Sequence, residues 1–239
     1  MNPIRSRSCG ALFVVQGDPP HAREAEYHQW YDTVHGPDAL NNGSFQEVCR
    51  YRAVGLGQAK ARFLALWRGD YANEAAAWGY IRPHAEKIRN AGGLNDIASV
   101  TFALMMFSAD GEGGCPATKG MPILTTVQND WRHAQRAMSA EAWWDASGLN
   151  RFAEELGSRF YTSDPAGKGA GYHLALFEQP DPIGDVIARW KDVGTPGSSP
   201  TPPYQLMFNQ SENDAKDGSN EPAVANAWTM HWQLISSLP

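Results

Sequence analysis

Phe63-Leu64-Ala65-Leu66-Trp67 returns further along the chain as His173-Leu174-Ala175-Leu176-Phe177. Two more segments recur in the same order: Val15-Gln16-Gly17-Asp18 as Val127-Gln128-Asn129-Asp130, and Trp30-Tyr31-Asp32 as Trp143-Trp144-Asp145. A spacing of roughly 110 residues suits one small domain per copy, so the chain reads as a duplicated supersecondary unit. One stretch breaks the parallel. Where His35-Gly36-Pro37-Asp38 should recur stands Ser147-Gly148-Leu149-Asn150, with no titratable group. A cluster found in only one of two copies points to function, and the residues both copies share point to scaffold.

The order of elements around these repeats is β-α-β-β-α-β, the ferredoxin-like arrangement. Ala11 to Gln16 is a short apolar run ended by Gly17-Asp18-Pro19-Pro20, which predicts a strand and a breaker. Ala22 to Val34 contains no Gly or Pro and predicts a helix stopped by Gly36-Pro37. Phe45 to Val54 and Ala61 to Arg68 predict a hairpin, and Asn73 to Ala91 a helix that Pro83 kinks or splits. Ser99 to Phe107 predicts the last strand of the first copy. The second copy is expected to run through a strand at Ile123 to Gln128, a helix at Ala140 to Leu156, and strands at Ser158 to Ser163 and Tyr172 to Glu178. A shorter helix at Ile183 to Asp192 and a strand at Tyr204 to Asn209 complete it, and Ala227 to Ile235 reads as an additional strand or arm. The expected division is residues 1–110 as the first unit, 111–120 as linker, 121–210 as the second unit and 211–239 as a polar tail with a possible extra strand.

The 239 residues are long enough for two domains. A net charge of −6 without a Lys/Arg cluster argues against a nucleic-acid surface. No apolar stretch reaches the roughly 18 residues of a membrane span, and the run near the start is too short for a signal-peptide core. Cys9, Cys49 and Cys115 lack CxxC spacing, and an odd count fits a reducing compartment, so a cytoplasmic location is expected. Nine Trp residues serve either core packing or an aromatic-lined pocket for a planar ligand.

A helix carrying Trp30-Tyr31-Asp32-Thr33-Val34-His35-Gly36-Pro37, after an apolar strand and before Arg50-Tyr51, resembles the dimeric α+β barrel superfamily, and within it the EthD-like group. The resemblance implies an α+β fold in which tandem ferredoxin-like units close as an intramolecular barrel. Members of that superfamily include cofactor-free lyases, dehydratases, isomerases, decarboxylases and polyketide cyclases; some branches bind haem, and some have no known activity.

Tyr27, Tyr31 and His35 are spaced i, i+4, i+8 and share one face of a continuing helix. Asp32 lies three residues before His35, within reach of its ring. A carboxylate-held His flanked by phenols is a workable general base. The bland alternative is a His that caps the helix C-terminus. The expected catalytic set is His35, Asp32, Tyr31, Tyr27 and His84; Trp30, Arg50, Trp67 and Asp38 are expected to bind substrate. Arg50 pairs with Arg159 by sequence, which argues for a framework role. His21, His28 and His35 fall seven apart, about 10.5 Å of helical rise, too far for one ion, so no metal is expected. Gly55-Leu56-Gly57 lacks the third glycine of a nucleotide loop, and no Gly-x-Ser-x-Gly elbow occurs.

The expected function is a cofactor-independent lyase, isomerase or cyclase using His acid–base chemistry on an aromatic or polyketide-like small molecule. It would have no nucleic-acid or membrane partner, and a homodimer is open. Two alternatives stand beside it: a non-catalytic small-molecule-binding barrel, and a haem-dependent barrel enzyme with His173 or His84 as axial ligand.

Overall fold

The computed structural model describes residues 10–54, 61–71, 73–90, 100–108, 122–130, 158–163, 172–179, 182, 184–185 and 227–238. They form an α+β protein of two compact units, Met1–Arg52 with Lys60–Gly120 and Leu234–Pro239 in the first, and Ala53–Ala59 with Met121–Gln233 in the second.

In the first unit, β1 (Gly10–Gly17) lies between β3 (Phe63–Asp70) and β4 (Val100–Ser108), and β2 (Glu47–Val54) borders β3. Every pairing is antiparallel, giving the order β4-β1-β3-β2. Side chains alternate across the sheet. Ala11, Phe13 and Val15 of β1 join Phe63, Ala65 and Trp67 of β3 in one core cluster, while Leu12, Val14, Leu64 and Leu66 are buried on the opposite face. Burial of both faces explains why these strands are continuous apolar runs rather than alternating ones.

Helices cover the cluster's face. A 3-10 turn at His21–Arg23 leads into α1 (Glu24–Trp30), a π-helical segment at Tyr31–His35 and α2 (Gly36–Asn41). Gly36-Pro37 therefore does not stop the helix, contrary to the sequence reading. The Gly36 N–H donates to the Tyr31 carbonyl five residues back, which is the wide π turn. Pro37 follows, with no N–H to return to Thr33, so the ladder is interrupted there in any case. α2 ends at Asn42 and Gly43, whose φ of 77° is the left-handed conformation that favours glycine after a helix. The second helix, α3 (Glu74–Asn90), runs through Pro83 as one element, so of the kink or split expected there the split does not occur. Its buried side, Ala77 and Ile81, packs on the sheet cluster.

Gly36 admits no side chain. A Cβ there would stand 2.6 Å from Leu238 Cδ1 and 2.8 Å from the Tyr31 carbonyl oxygen. Leu238 can swing away, but the carbonyl belongs to the π turn. Gly36→Ala is expected to cost about 1–2 kcal/mol by overpacking. Leu238→Ala in the same chain should recover only part of that loss, as read by chemical denaturation.

In the second unit, β5 (Ile123–Asp130) lies between β7 (Tyr172–Gln179) and β8 (Ala227–Leu238), with β6 (Ser158–Thr162) beyond β7. The order β6-β7-β5-β8 is again antiparallel throughout. The segment read from sequence as an extra strand or arm is thus β8, paired with β5 from Ala227 to Gln233; its last residues belong to the first unit. Trp232 is fully buried, and its Nε1 donates to Thr126 Oγ1 at 2.9 Å. The expected helix at 140–156, the strand at 204–209 and Asp145 lie outside the described residues.

Register corrects one equivalence. Gln16 faces Leu64 in the first unit and Gln128 faces Leu174 in the second, as the repeat implies. Arg50 faces Ala65, and the residue facing Ala175 is Phe160; Arg159 faces Leu176, as Cys49 faces Leu66. Arg50 therefore has no arginine counterpart.

Candidate functional site

The first unit encloses a cavity of about 360 Å³ between the helices and the sheet. Tyr27, Trp30, Tyr31 and His35 wall it from the helical segment, and Trp67 and Phe13 from the strands. Trp78 and His84 of α3 close another side, with Asn42 and Ser44 at the turn after α2. None of the described residues lining it is Lys or Arg.

His35 owes its place to the π turn. Trp30 and His35 are five residues apart, and the five-residue turn stacks their rings at 4.5 Å with an interplanar angle of 5°. Tyr31 and Trp67 meet the imidazole edge-on at 5.0 Å each. An imidazole packed among rings loses water, and the Arg50 guanidinium adds repulsion. Together they push the His35 pKa down to about 4, so the ring is neutral at neutral pH. Its Nδ1 is buried and has no hydrogen-bond partner among the described residues. The Ser44 Oγ is orphaned in the same way.

The expected pairing of Asp32 with His35 does not form. Asp32 Oδ1 accepts from Arg50 Nη1 at 2.7 Å and from Ser236 Oγ at 3.0 Å. Arg50 is 2% exposed, and its guanidinium lies 4.2 Å from the Tyr31 ring centroid and 5.3 Å from that of Tyr27. Arg50 Nη2 also stands 2.7 Å from His28 Nδ1. Arginine only donates, so this His28 nitrogen carries no proton. Burial, then the Arg50 charge, lowers the His28 pKa. Burial also raises the pKa of Tyr27 and Tyr31, so both phenols stay protonated.

Of the nine residues singled out by sequence, the structure brings Tyr27, Trp30, Tyr31, His35, Trp67 and His84 around one cavity. Arg50 lies behind the tyrosine rings, Asp32 binds Arg50, and Asp38 is exposed on α2 away from the lining. His84 Nδ1 is 2.9 Å from the Tyr80 carbonyl; a carbonyl only accepts, so Nδ1 bears a hydrogen. His173, the other haem-ligand candidate, is buried in the second unit with Nδ1 3.1 Å from Thr162 Oγ1. Sequence reasoning missed Ser44 and Ser236, and weighed His28 only as a metal ligand. His28 had a signal: it stands four residues before Asp32, on the same helix face.

No family model and no curated protein matches the sequence. Solved structures do resemble the chain. An anthrone oxidase-like protein aligns with a TM-score of 0.50 at 9% identity, over 98% of this chain and 94% of that one. A putative chlorite dismutase aligns at 0.46 and 12% identity, over 96% of each chain. A heme-binding protein from Thermus thermophilus aligns at 0.43 and 11% identity, over 96% of this chain and 92% of that one. The likeness is one of fold, the ferredoxin-like α+β barrel type. With Asp32 held by Arg50 and His35 depressed to about 4, the expected acid–base pair is missing from the geometry. The cofactor-free lyase, isomerase or cyclase reading is withdrawn. Among the described residues, no helix is long and apolar enough to cross a membrane.

Proposed function

We propose that the first unit is a binding module for a small, planar, largely apolar molecule that carries a hydrogen-bonding group. The observation behind this reading is the orphaned His35 Nδ1 within the wall of an aromatic cavity, with the Ser44 Oγ orphaned nearby. An unsatisfied buried polar atom costs about 1–3 kcal/mol, and a ligand hydroxyl that reaches it recovers that cost on binding. Stacked rings favour a flat ligand. The absence of Lys and Arg among the described lining residues disfavours an anion.

Calorimetric titration with 2-naphthol, naphthalene and 2-naphthoate tests this. The expected order is 2-naphthol first, naphthalene about tenfold weaker for want of the hydrogen bond, and 2-naphthoate weakest. In His35→Phe the first two should bind alike. Absence of heat with all three, or tightest binding of the carboxylate, would contradict the reading.

A second reading makes haem the planar ligand. One observation favours it: a neutral imidazole with an unpartnered nitrogen is the donor an axial iron ligand needs, and His35, neutral and with its Nδ1 unpartnered among the described residues, lines the cavity. Haemin titration with a Soret band that His35→Phe or His84→Phe shifts would support it. Such a result, without 2-naphthol binding, replaces the first reading.

We also propose that the two units are tandem copies of one ancestral unit, related to the EthD-like group. Matched registers at Gln16 and Gln128, together with the Trp30 to Pro37 motif, support this.

A further inference from the structure

Two residues of the C-terminal strand meet the helical segment that carries His35. From Gln233 to Leu238 exposure alternates, with Gln233, Ile235 and Ser237 exposed and Leu234, Ser236 and Leu238 turned inward. This is the period of a strand with one covered face. Ser236 Oγ donates to Asp32 Oδ1 at 3.0 Å, across 204 residues of sequence, and Asp32 lies inside the π segment. Two residues on, Leu238 packs against the core cluster, and its Cδ1 takes the space that a side chain at Gly36 would fill. Gly36 closes the π turn through its bond to the Tyr31 carbonyl. Ser236 and Leu238 therefore both press on the five-residue turn that stacks His35 on Trp30.

A π turn is a rare local arrangement beside the α-helix. Contacts from outside the turn add to the interruption that Pro37 makes in the helical ladder. Arg50 anchors Asp32 from the sheet side, and Ser236 anchors the same carboxylate oxygen from the C-terminal strand. Leu238 fills the gap that a glycine leaves.

We infer that the C-terminal residues Ser236 and Leu238 are positioning residues that hold the π turn at Tyr31–His35 and so fix the His35 ring against Trp30. Neither residue lines the cavity; each acts through Asp32 or Gly36. The inference concerns ring geometry, and only its consequence for ligand binding rests on the function proposed above.

The test is proton NMR of the histidine ring resonances in the full chain. His35 stacked on Trp30 should show ring protons displaced upfield by the indole ring current, together with a cross-relaxation peak to Trp30. Ser236→Ala and Leu238→Ala are each expected to reduce that displacement, and the double substitution to remove it. Ser236→Thr, which keeps the hydroxyl, should retain it. With 2-naphthol as probe, the double variant should bind about tenfold more weakly. Unchanged His35 ring shifts in folded Ser236→Ala and Leu238→Ala proteins would overturn the inference. If Leu238→Ala does not fold, Ser236→Ala against Ser236→Thr decides alone. The NMR result stands whether or not 2-naphthol binds the unaltered protein, so failure of the binding reading is told apart from failure of this one.

Discussion

Replacing Asp32 by Ala is expected to lower the unfolding free energy by about 3–5 kcal/mol, the largest effect of any single change at the site. Arg50 is the reason. Its side chain is 3% exposed, and its ion pair is with Asp32 at 2.7 Å. Without the carboxylate, a buried cation is left with the neutral His28 nitrogen and the faces of Tyr27 and Tyr31. Ring faces and one neutral acceptor do not offset the loss of hydration. The melting temperature should fall by roughly 10 °C for a chain of this size. Arg50→Met, which removes the buried charge and keeps most of its volume, should cost less. The carboxylate it strands is 39% exposed and still bonded to Ser236. Denaturation curves of the two variants check this order. An Asp32→Ala protein as stable as the unaltered one, or less affected than Arg50→Met, would show that the pair is not what holds this part of the fold.

The second large effect follows pH. In the unfolded chain His35 titrates near the ordinary 6.5, and in the fold near about 4. Between those values the unfolded state binds the extra proton. The contribution is therefore complete above about pH 6.5 and lost as pH falls towards 4. Because the residue is half-buried, the loss across that window is on the order of 2–3 kcal/mol. His28, also lowered by burial and by Arg50, adds to the same slope. The check compares the unaltered protein with His35→Phe by urea denaturation at several pH values through that range. The stability of the unaltered protein relative to His35→Phe should fall steadily as the solution is acidified towards pH 4. Parallel curves would mean that His35 titrates alike folded and unfolded.

Much of the fold was legible because the strands announce themselves. Ala11 to Val15 and Phe63 to Trp67 are apolar runs too short for buried helices, bounded by Gly, Pro and charged residues. The cavity was half legible. Trp30, Tyr31 and His35 stand out for lying near one another on a helix, and they do meet, but through a turn of five rather than four residues. Periodicity rules assume an α-helix, so Gly36-Pro37 reads as a stop when it is the place where the ladder widens and resumes. Asp32 pairs with His35 on paper because local spacing is all a sequence displays. Its partners lie 18 and 204 residues away and become visible only with the strands in register. Matching Arg50 to Arg159 fails for a related reason: the two arginines stand one residue out of register. Nothing in the composition around Ser44 marks its hydroxyl as unpaired.

The central claim is that a neutral His35 with a free Nδ1 waits in an aromatic cavity for a ligand's polar group. The most direct measurement is the ¹⁵N NMR spectrum of the histidine side chains at neutral pH, recorded before and after saturation with 2-naphthol. The account predicts a neutral tautomer for His35 in the free protein and a shift of its Nδ1 resonance on binding, with His173 in the second unit unmoved. A His35 ring already protonated at neutral pH, or an Nδ1 resonance that stays in place at saturation, would contradict it.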